Sequence, residues 1–256
     1  MDREVKNIQL VTEHAFRTYC ILKEEVERWN AERGIYWKKT IYLSKTFPYC
    51  PVNSFPKQAV LELWQRLNAR TEILILESDI VEMWENYRRG QPLSNPKLLS
   101  TFNMTLRGIA QLVREKAMET NPAVSDKESL PEVAANKDYR SLCPICGERI
   151  IISVLSPTNG KRFLHCTLCD HEWSTNRVGC IICGNEDAFK QSYLQTQEFP
   201  GIEMVSCELC KQYVKEFDLR VISVQDYLWE DIKSLPLNYA TELWLAELAE
   251  KSGQPQ

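Results

Sequence analysis

Four Cys-x-x-Cys pairs lie between residues 143 and 210 of this 256-residue chain, and they constrain its fold more than any other feature. A Cys-x-x-Cys turn places two thiolates on one side of a tight loop, so two such loops facing each other supply a tetrahedral all-sulfur site. Four loops therefore predict two metal sites. The predicted ligands are Cys143, Cys146, Cys166, Cys169, Cys180, Cys183, Cys207 and Cys210.

The spacing of the pairs favours one way of grouping them. Each of the intervals 147–165 and 184–206 is long enough for a β-hairpin that returns the second loop to face the first, whereas the interval 170–179 is short. Sequential grouping, first pair with second and third with fourth, therefore needs the least chain contortion, although an interleaved arrangement also gives four-coordinate sites. Gly147 and Gly184 follow the second cysteine of their pairs and allow backbone N–H groups to turn toward the sulfurs.

Spacing does not decide which metal is bound, because tetrathiolate sites suit both zinc and a single iron. Zinc would stabilise the fold of a small β-module that has little hydrophobic core of its own. Iron of the rubredoxin type would cycle between two oxidation states. Closed tetrathiolate sites disfavour metal-assisted hydrolysis in either case. Disulfide exchange is a further alternative, but no thioredoxin-like βαβ pattern surrounds any pair.

Composition indicates a globular protein, with 44% apolar and 26% charged residues and a formal net charge of −4. The first ten residues are charged and carry no apolar core of signal-peptide length. No uninterrupted apolar run approaches the ~20 residues of a membrane-spanning helix. We therefore expect a cytoplasmic protein without membrane insertion, in which cysteines persist as thiolates.

Residues 1–122 are predicted to form a helical, bundle-like domain. Apolar residues recur every three or four positions from Val5 to Trp29, and this stripe ends near Gly34. A second helix begins at residues 54–56 and continues, or breaks near Asn68, into a stripe that stops at Gly90. Another helix follows residues 94–96, which makes four helices in this half.

Beyond the helical half, the pattern changes to short β-like runs between the cysteine loops, which predicts an α+β protein. Those runs are 150–155, 162–165, 192–199, 202–205 and 213–217. Helical periodicity returns at Gln225, is interrupted by Pro236, and ends in an apolar face that includes Leu237 and Ala240. The predicted division is a helical domain 1–122, a polar linker 123–140, rubredoxin-like or zinc-ribbon-like modules 141–177 and 178–222, and a C-terminal helical segment 223–256.

Other candidate residues support less specific interpretations. His165 and His171 flank the second cysteine pair and are predicted to be hydrogen-bonded or solvated neighbours rather than ligands. Glu77, Asp79 and Glu82 are interpreted as the wet face of a helix. The chain has three histidines and no recognisable nucleophile or phosphate-loop motif, so no catalytic residue, no organic-cofactor site and no enzymatic activity are predicted.

The charge of the cysteine-rich region argues against a nucleic-acid partner. Residues 141–222 contain eight basic and ten acidic residues, so their balance is 8 − 10 = −2. Each divalent metal held by four thiolates contributes a further −2. A phosphate-binding surface requires the opposite sign.

One block of residues is more specific than the cysteine pairs alone. It runs Arg162-Phe-Leu-His-Cys-x-Leu-Cys and reaches Trp173, with Arg177 and the third pair after it and Tyr213-Val-Lys215 after the fourth pair. Together with the CPICG and CIICG loops, this block resembles the formate dehydrogenase accessory protein family, FdhE.

The resemblance implies a fold and a function. Members of that family have a helical amino-terminal domain and two rubredoxin-like modules that bind iron, and the eight paired cysteines match the family's ligands. The resemblance also implies a cytoplasmic protein that contacts the catalytic subunit of formate dehydrogenase before that enzyme is finished. The alternatives are a zinc-ribbon protein of another assembly or of transcription, and a rubredoxin-like electron carrier or thiol–disulfide protein.

Overall fold

A computed structural model of the chain describes residues 2–91, 93, 95–121, 124 and 140–252, without the side chains of residues 2–11 and 251–252. The predicted α+β architecture is confirmed: amino-terminal helices precede a β-sheet region with two cysteine clusters and carboxy-terminal helices. Nearly all of the predicted linker 123–140 lies outside the described residues. None of the helices within the described part of the chain is long and apolar enough to cross a membrane.

The chain divides into two compact units, and the division does not follow the sequence strictly. The helical unit takes in two short loops from the cysteine-rich region, and the sheet unit holds the remainder of that region. The helical unit consists of Met1–Ser125, Pro144–Glu148 and Leu168–Asp170, and the sheet unit of Asp126–Cys143, Arg149–Thr167 and His171–Gln256. The five-part division of the chain remains a prediction.

The helical unit is built from the four predicted helices. These are α1 (Asp2–Thr40), α2 (Lys57–Arg70), α3 (Glu77–Arg88) and α4 (Leu99–Thr120). Three tryptophans, Trp29, Trp64 and Trp84, are fully buried among them. The indole of Trp64 donates to the Thr101 hydroxyl at 3.1 Å, which satisfies its buried N–H group.

The predicted end of the first helix near Gly34 is wrong, because α1 continues to Thr40. A Cβ atom at Gly34 would lie 3.1 Å from Cδ2 of Leu112 on α4. This glycine therefore permits close helix packing rather than ending a helix, and its helical backbone needs no left-handed conformation. Sequence pattern alone cannot separate these two uses of glycine.

The second predicted helix was expected either to continue past Asn68 or to break there, and the structure shows a break. The chain leaves α2 after Arg70, where the Ile73 N–H donates to the Asn68 carbonyl at 2.9 Å. Before α4, the side chain of Asn95 accepts from the Lys97 N–H at 3.1 Å and caps a 3₁₀ turn, Pro96–Leu98. The predicted exposure of Glu77, Asp79 and Glu82 is confirmed.

Six strands form one sheet in the order β3-β2-β1-β6-β5-β4. The segment predicted as the first module, 141–177, contains β1–β3, and the segment predicted as the second, 178–222, contains β4–β6. Five strands match predicted runs, and the three-residue β3 was not predicted. The strands are β1 (Ile152–Leu155), β2 (Arg162–His165), β3 (Glu172–Ser174), β4 (Gln191–Gln195), β5 (Ile202–Cys207) and β6 (Tyr213–Asp218).

The two modules join through a parallel pairing of β1 with β6, whereas the other pairings are antiparallel. A buried polar group lies at this junction: Nε of Arg162 on β2 is 2.8 Å from the Glu216 carboxylate on β6. Ser153 on β1 donates to the same carboxylate at 3.0 Å. Burial lowers the pKa of Arg162, against the attraction of Glu216. The modules therefore share a sheet and one buried charged network.

Two helices, α5 (Tyr227–Lys233) and α6 (Leu235–Ser252), complete the sheet unit. Pro236 does not interrupt a helix, because it lies in the first turn of α6, where its missing N–H group has no helical partner to lose. Leu237 packs in the sheet core with Phe217, whereas Ala240, predicted on the same apolar face, is exposed.

A buried lysine attaches α5 to the sheet. Lys215 on β6 is almost fully buried, and its ammonium donates to the Asp231 carboxylate at 2.6 Å and the Ser234 hydroxyl at 3.0 Å. Burial lowers the pKa of Lys215, and Asp231 opposes that shift. Three polar acceptors, including the Asp231 carbonyl, therefore surround a charge that has no access to water.

Candidate metal centres

Each of the four cysteine pairs forms a tight loop, and all four loops turn at the same place. The residue after the second cysteine adopts a left-handed backbone, with φ of 73° at Gly147, 58° at Asp170, 75° at Gly184 and 57° at Lys211. The glycines in the first and third loops signalled this geometry. The second and fourth loops use residues with a Cβ, for which the left-handed region is unfavourable.

A backbone hydrogen bond repeats in three of these loops. The first cysteine donates its N–H group to the carbonyl five residues later, from Cys166 at 3.0 Å, Cys180 at 2.7 Å and Cys207 at 2.9 Å. In the third loop, the N–H groups of Ile182 and Cys183 also point at the Cys180 sulfur, at 3.4 and 3.5 Å. Such N–H···S contacts stabilise a thiolate.

The loops group sequentially, which is the arrangement that the spacing favoured. In each group the four sulfur atoms lie within 4.8 Å of one another. The first cluster contains Cys143, Cys146, Cys166 and Cys169, and the second contains Cys180, Cys183, Cys207 and Cys210.

The sulfur–sulfur distances fit a tetrahedral metal site. Cys180 and Cys210 are 3.6 Å apart and Cys183 and Cys207 are 3.7 Å apart. Four sulfurs at about 2.3 Å from a central metal would be separated by about 3.8 Å, whereas a disulfide requires about 2.05 Å. The eight cysteines therefore fit two four-sulfur metal sites, and none of them is in a disulfide.

The second cluster also has the electrostatics of a cation site. Burial opposes ionisation of Cys207, but N–H groups of Cys210 and Leu209 lower its pKa to about 7. Burial raises the pKa of Cys180 and of Cys210. Four thiolates at this separation repel one another strongly, so a cation at the centre is what allows all of them to ionise.

Residues 144–148 of the first loop belong to the helical unit and are held within it by backbone hydrogen bonds. Backbone N–H groups of Tyr49, Cys50 and Val52 donate to the carbonyls of Pro144, Ile145 and Cys146 at 3.0, 2.9 and 3.1 Å. These are three consecutive loop carbonyls, and each accepts a hydrogen bond from the segment 49–52. This support was not predicted, since the segment has no periodicity or motif.

A side-chain clamp holds the second loop of the same cluster. Nη2 of Arg107 on α4 donates to both carboxylate oxygens of Asp170 at 2.7 and 2.8 Å, and Gln111 donates to one of them at 2.9 Å. Asp170 is the left-handed residue that follows Cys169. The only sequence signal for this clamp is the acidic residue where the first and third pairs have glycine.

The histidines near the second pair lie outside the clusters, as predicted. His165 lies 3.2 Å from Glu172 through Nδ1 and packs against Tyr227, and the buried His171 stacks on Trp173. Cys20 and Cys50, the two cysteines outside the pairs, belong to no metal-ligating group among the described residues. Burial raises the pKa of Cys50 to about 11, against Lys116, so this thiol stays protonated.

The fold and these clusters define a class of protein: a chain with a helical unit, a β-sheet unit and two successive four-cysteine sites. Residues 142–177 match the family model described as FdhE, central domain. The match covers the whole first cluster.

Comparison with known proteins points to the same family. The chain is 34% identical over 114 residues to a "Protein FdhE homolog" from Aquifex aeolicus, covering 43% of this chain and 38% of that protein. It is 35% identical over 102 residues to another from Shewanella oneidensis, covering 39% and 33%. The matched region thus spans about a third of the length of these relatives.

The fold of nearly the whole chain has a counterpart in a solved structure. The crystal structure of the FdhE protein from Pseudomonas aeruginosa aligns with a TM-score of 0.58 at 19% identity, covering 91% of this chain and 85% of that one. At this identity the likeness concerns the fold. The predicted resemblance to the FdhE family is confirmed by the family model and the relatives.

Proposed function

We propose that the protein is a non-catalytic accessory factor for the assembly of active formate dehydrogenase, acting in the cytoplasm on the catalytic subunit of that enzyme. The observation that carries the proposal is the pair of four-cysteine clusters in a fold shared with an FdhE protein. The choice of partner rests on the resemblance to the FdhE family. The non-catalytic role rests on the clusters, since four protein ligands leave a metal no open position for substrate.

In this proposal the eight paired cysteines ligate two iron ions, with zinc as the alternative. Iron would allow one-electron chemistry at these sites, whereas zinc would have a structural role only. The chain's own contribution is to hold the sulfurs at tetrahedral separation, to direct N–H groups at them, and to keep the first cluster out of water.

The final helix offers a surface for the partner subunit. Leu235, Tyr239 and Leu243 follow one another at four-residue spacing on α6, and each is at least half exposed. They form a continuous apolar stripe on the helix face opposite Leu237, which is buried in the sheet core. Since α6 is apolar on both faces, we infer that a protein partner covers the exposed one.

Co-purification tests this proposal. A tagged catalytic subunit of formate dehydrogenase should retain the wild-type chain and should bind a Leu243→Asp variant at least about fivefold more weakly, since a central apolar contact at an interface contributes more than about 1 kcal/mol. Glu250→Gln, an exposed change on the same helix, is the matched control and should bind like wild type.

Two results together would overturn the accessory role. These are the absence of association with the catalytic subunit and normal formate oxidation in a strain that lacks the protein. Circular dichroism of Leu243→Asp separates a binding defect from a folding defect, because the exposed position should leave the helix content unchanged.

A further inference from the structure

The two cysteine clusters differ in their access to solvent. All four cysteines of the first cluster have an exposed fraction of 0%. In the second cluster Cys183 is exposed, Cys180 and Cys210 are partly exposed, and only Cys207 is buried. Two sites with the same ligand set therefore present different surfaces to an incoming reagent.

The difference extends to the loops around the sulfurs. The loops of the first cluster are fixed by three backbone hydrogen bonds from residues 49–52 and by the Arg107–Asp170 clamp. In the second cluster, by contrast, Leu209 of the fourth loop is 61% exposed. A first-cluster sulfur can meet a reagent only after those contacts open, whereas a second-cluster sulfur can meet it in the folded protein.

A cavity also opens on the second cluster. It has a volume of about 290 Å³ and is lined by Cys180, Gly184, Arg140 and Trp173, among others. The guanidinium of Arg140 lies directly against Gly184, in the place that a Cβ would occupy. The loop that carries Cys183 is thus flanked by solvent and by a cavity large enough for a small thiol compound.

We propose that the second cluster is a ligand-exchange site for thiols, whereas the first cluster holds its metal permanently. With a metal in the second cluster, an incoming thiol would give up its proton and replace Cys183 as a thiolate ligand, and Cys183 would take up a proton. One metal–sulfur bond would form as one breaks, the oxidation state and the number of sulfur ligands would not change, and no oxidant would be needed. The thiol is a small molecule or a cysteine of a partner protein.

The exchange proposal rests on the two metal sites of the proposed function but not on its partner. The test starts from chain loaded with two zinc ions, glutathione at several concentrations, and an excess of a chromogenic chelator. About one zinc ion per chain should be released at a rate proportional to glutathione, and the second roughly a hundredfold more slowly, because its release waits for local opening. Release of both ions together, or at a rate independent of thiol, would overturn the proposal.

Alkylation provides a second readout that needs no variant. With limiting iodoacetamide and mass spectrometry, Cys183 should be modified first, and Cys146, which occupies the same loop position in the first cluster, should stay protected. Equal modification of these two cysteines would contradict the proposal. In Cys183→Ser, zinc at the second site should leave rapidly and without dependence on glutathione, because the ligand to be displaced is already missing.

The source of the thiol is resolved by comparing two reagents. Release by glutathione but not by a globular protein with one surface cysteine supports exchange with small thiols. Release by both supports exchange with a partner's cysteine as well, and release by neither overturns the proposal. A chain that fails to hold two metals at the start counts against the metal sites themselves, and failure to bind formate dehydrogenase leaves this test unaffected.

Discussion

At the scale of single residues, the position after each Cys-x-x-Cys pair decides how well its loop is formed. Gly147 and Gly184 could be interpreted from the sequence, since glycine enters the left-handed region without strain. Asp170 and Lys211 adopt the same backbone without that signal, and nothing local in the sequence indicates it. The cysteines predicted where the loops lie, but they did not predict the strained left-handed backbone at residues 170 and 211.

Replacing Lys211 with glycine should stabilise the sheet unit. The left-handed conformation costs a residue with a Cβ about 1–2 kcal/mol, and the added chain entropy of glycine offsets about 0.5–1 of it. We therefore expect a gain of roughly 0.5–1 kcal/mol in the free energy of unfolding, measured by denaturant titration of zinc-saturated protein. A loss of stability in Lys211→Gly would show that the backbone strain is not what limits this loop.

Asp170→Gly is the matched change at the equivalent position of the second loop and should act in the opposite direction. It relieves the same strain but removes the carboxylate that accepts hydrogen bonds from the buried Arg107 and from Gln111. Removing one member of a buried ion pair typically costs about 3–5 kcal/mol, which exceeds the relief of strain. Stabilisation of both variants would mean that the clamp contributes little.

At the scale of helices and strands, local pattern predicted elements well and their partners poorly. Four helices and five strands were visible because each carries an apolar period or a β-branched run. The strand β3 was missed because it has only three residues. The parallel pairing of β1 with β6 joins residues about sixty positions apart, and no local signal specifies such a contact.

The attachment of α5 to β6 depends on one buried charge. Lys215→Met should lower the free energy of unfolding by about 3–5 kcal/mol, because it leaves the Asp231 carboxylate without its ammonium partner. The double variant Lys215→Met with Asp231→Leu should recover part of that loss, as no unpaired charge then remains. Thermal unfolding of the single and double variants measures this coupling.

Lys233→Met is the control for the same helix. Lys233 pairs with Glu230 at 2.6 Å, but its side chain is 41% exposed. An exposed pair of this kind contributes about 0–1 kcal/mol. A loss in Lys233→Met as large as in Lys215→Met would show that the effect comes from helix charge rather than from the buried ammonium.

At the scale of the whole molecule, the cysteine pattern predicted two four-sulfur clusters and their sequential grouping. It did not predict that residues 144–148 and 168–170 would group with the helices. These loops are held by backbone hydrogen bonds from residues 49–52 and by one buried arginine on α4. Neither kind of contact produces a periodic pattern in the sequence, so the grouping could not be predicted.

This grouping predicts that the two clusters differ in what they stabilise. Cys143→Ser with Cys146→Ser should remove one metal and lower the stability of the helical unit by about 1–3 kcal/mol, as loop carbonyls held by residues 49–52 lose their fixed positions. Cys180→Ser with Cys183→Ser should also remove one metal but leave the helical unit unchanged. Metal analysis with helix unfolding followed at 222 nm measures both, and an equal effect of the two variants on the helices would contradict the prediction.

We propose that the eight paired cysteines hold two metal ions in two all-sulfur sites. The most direct test is metal content together with X-ray absorption of protein purified without oxygen from its native host. The account predicts two metals per chain, each with four sulfur neighbours at about 2.3 Å. One metal per chain, or nitrogen or oxygen among the ligands of either metal, would contradict it.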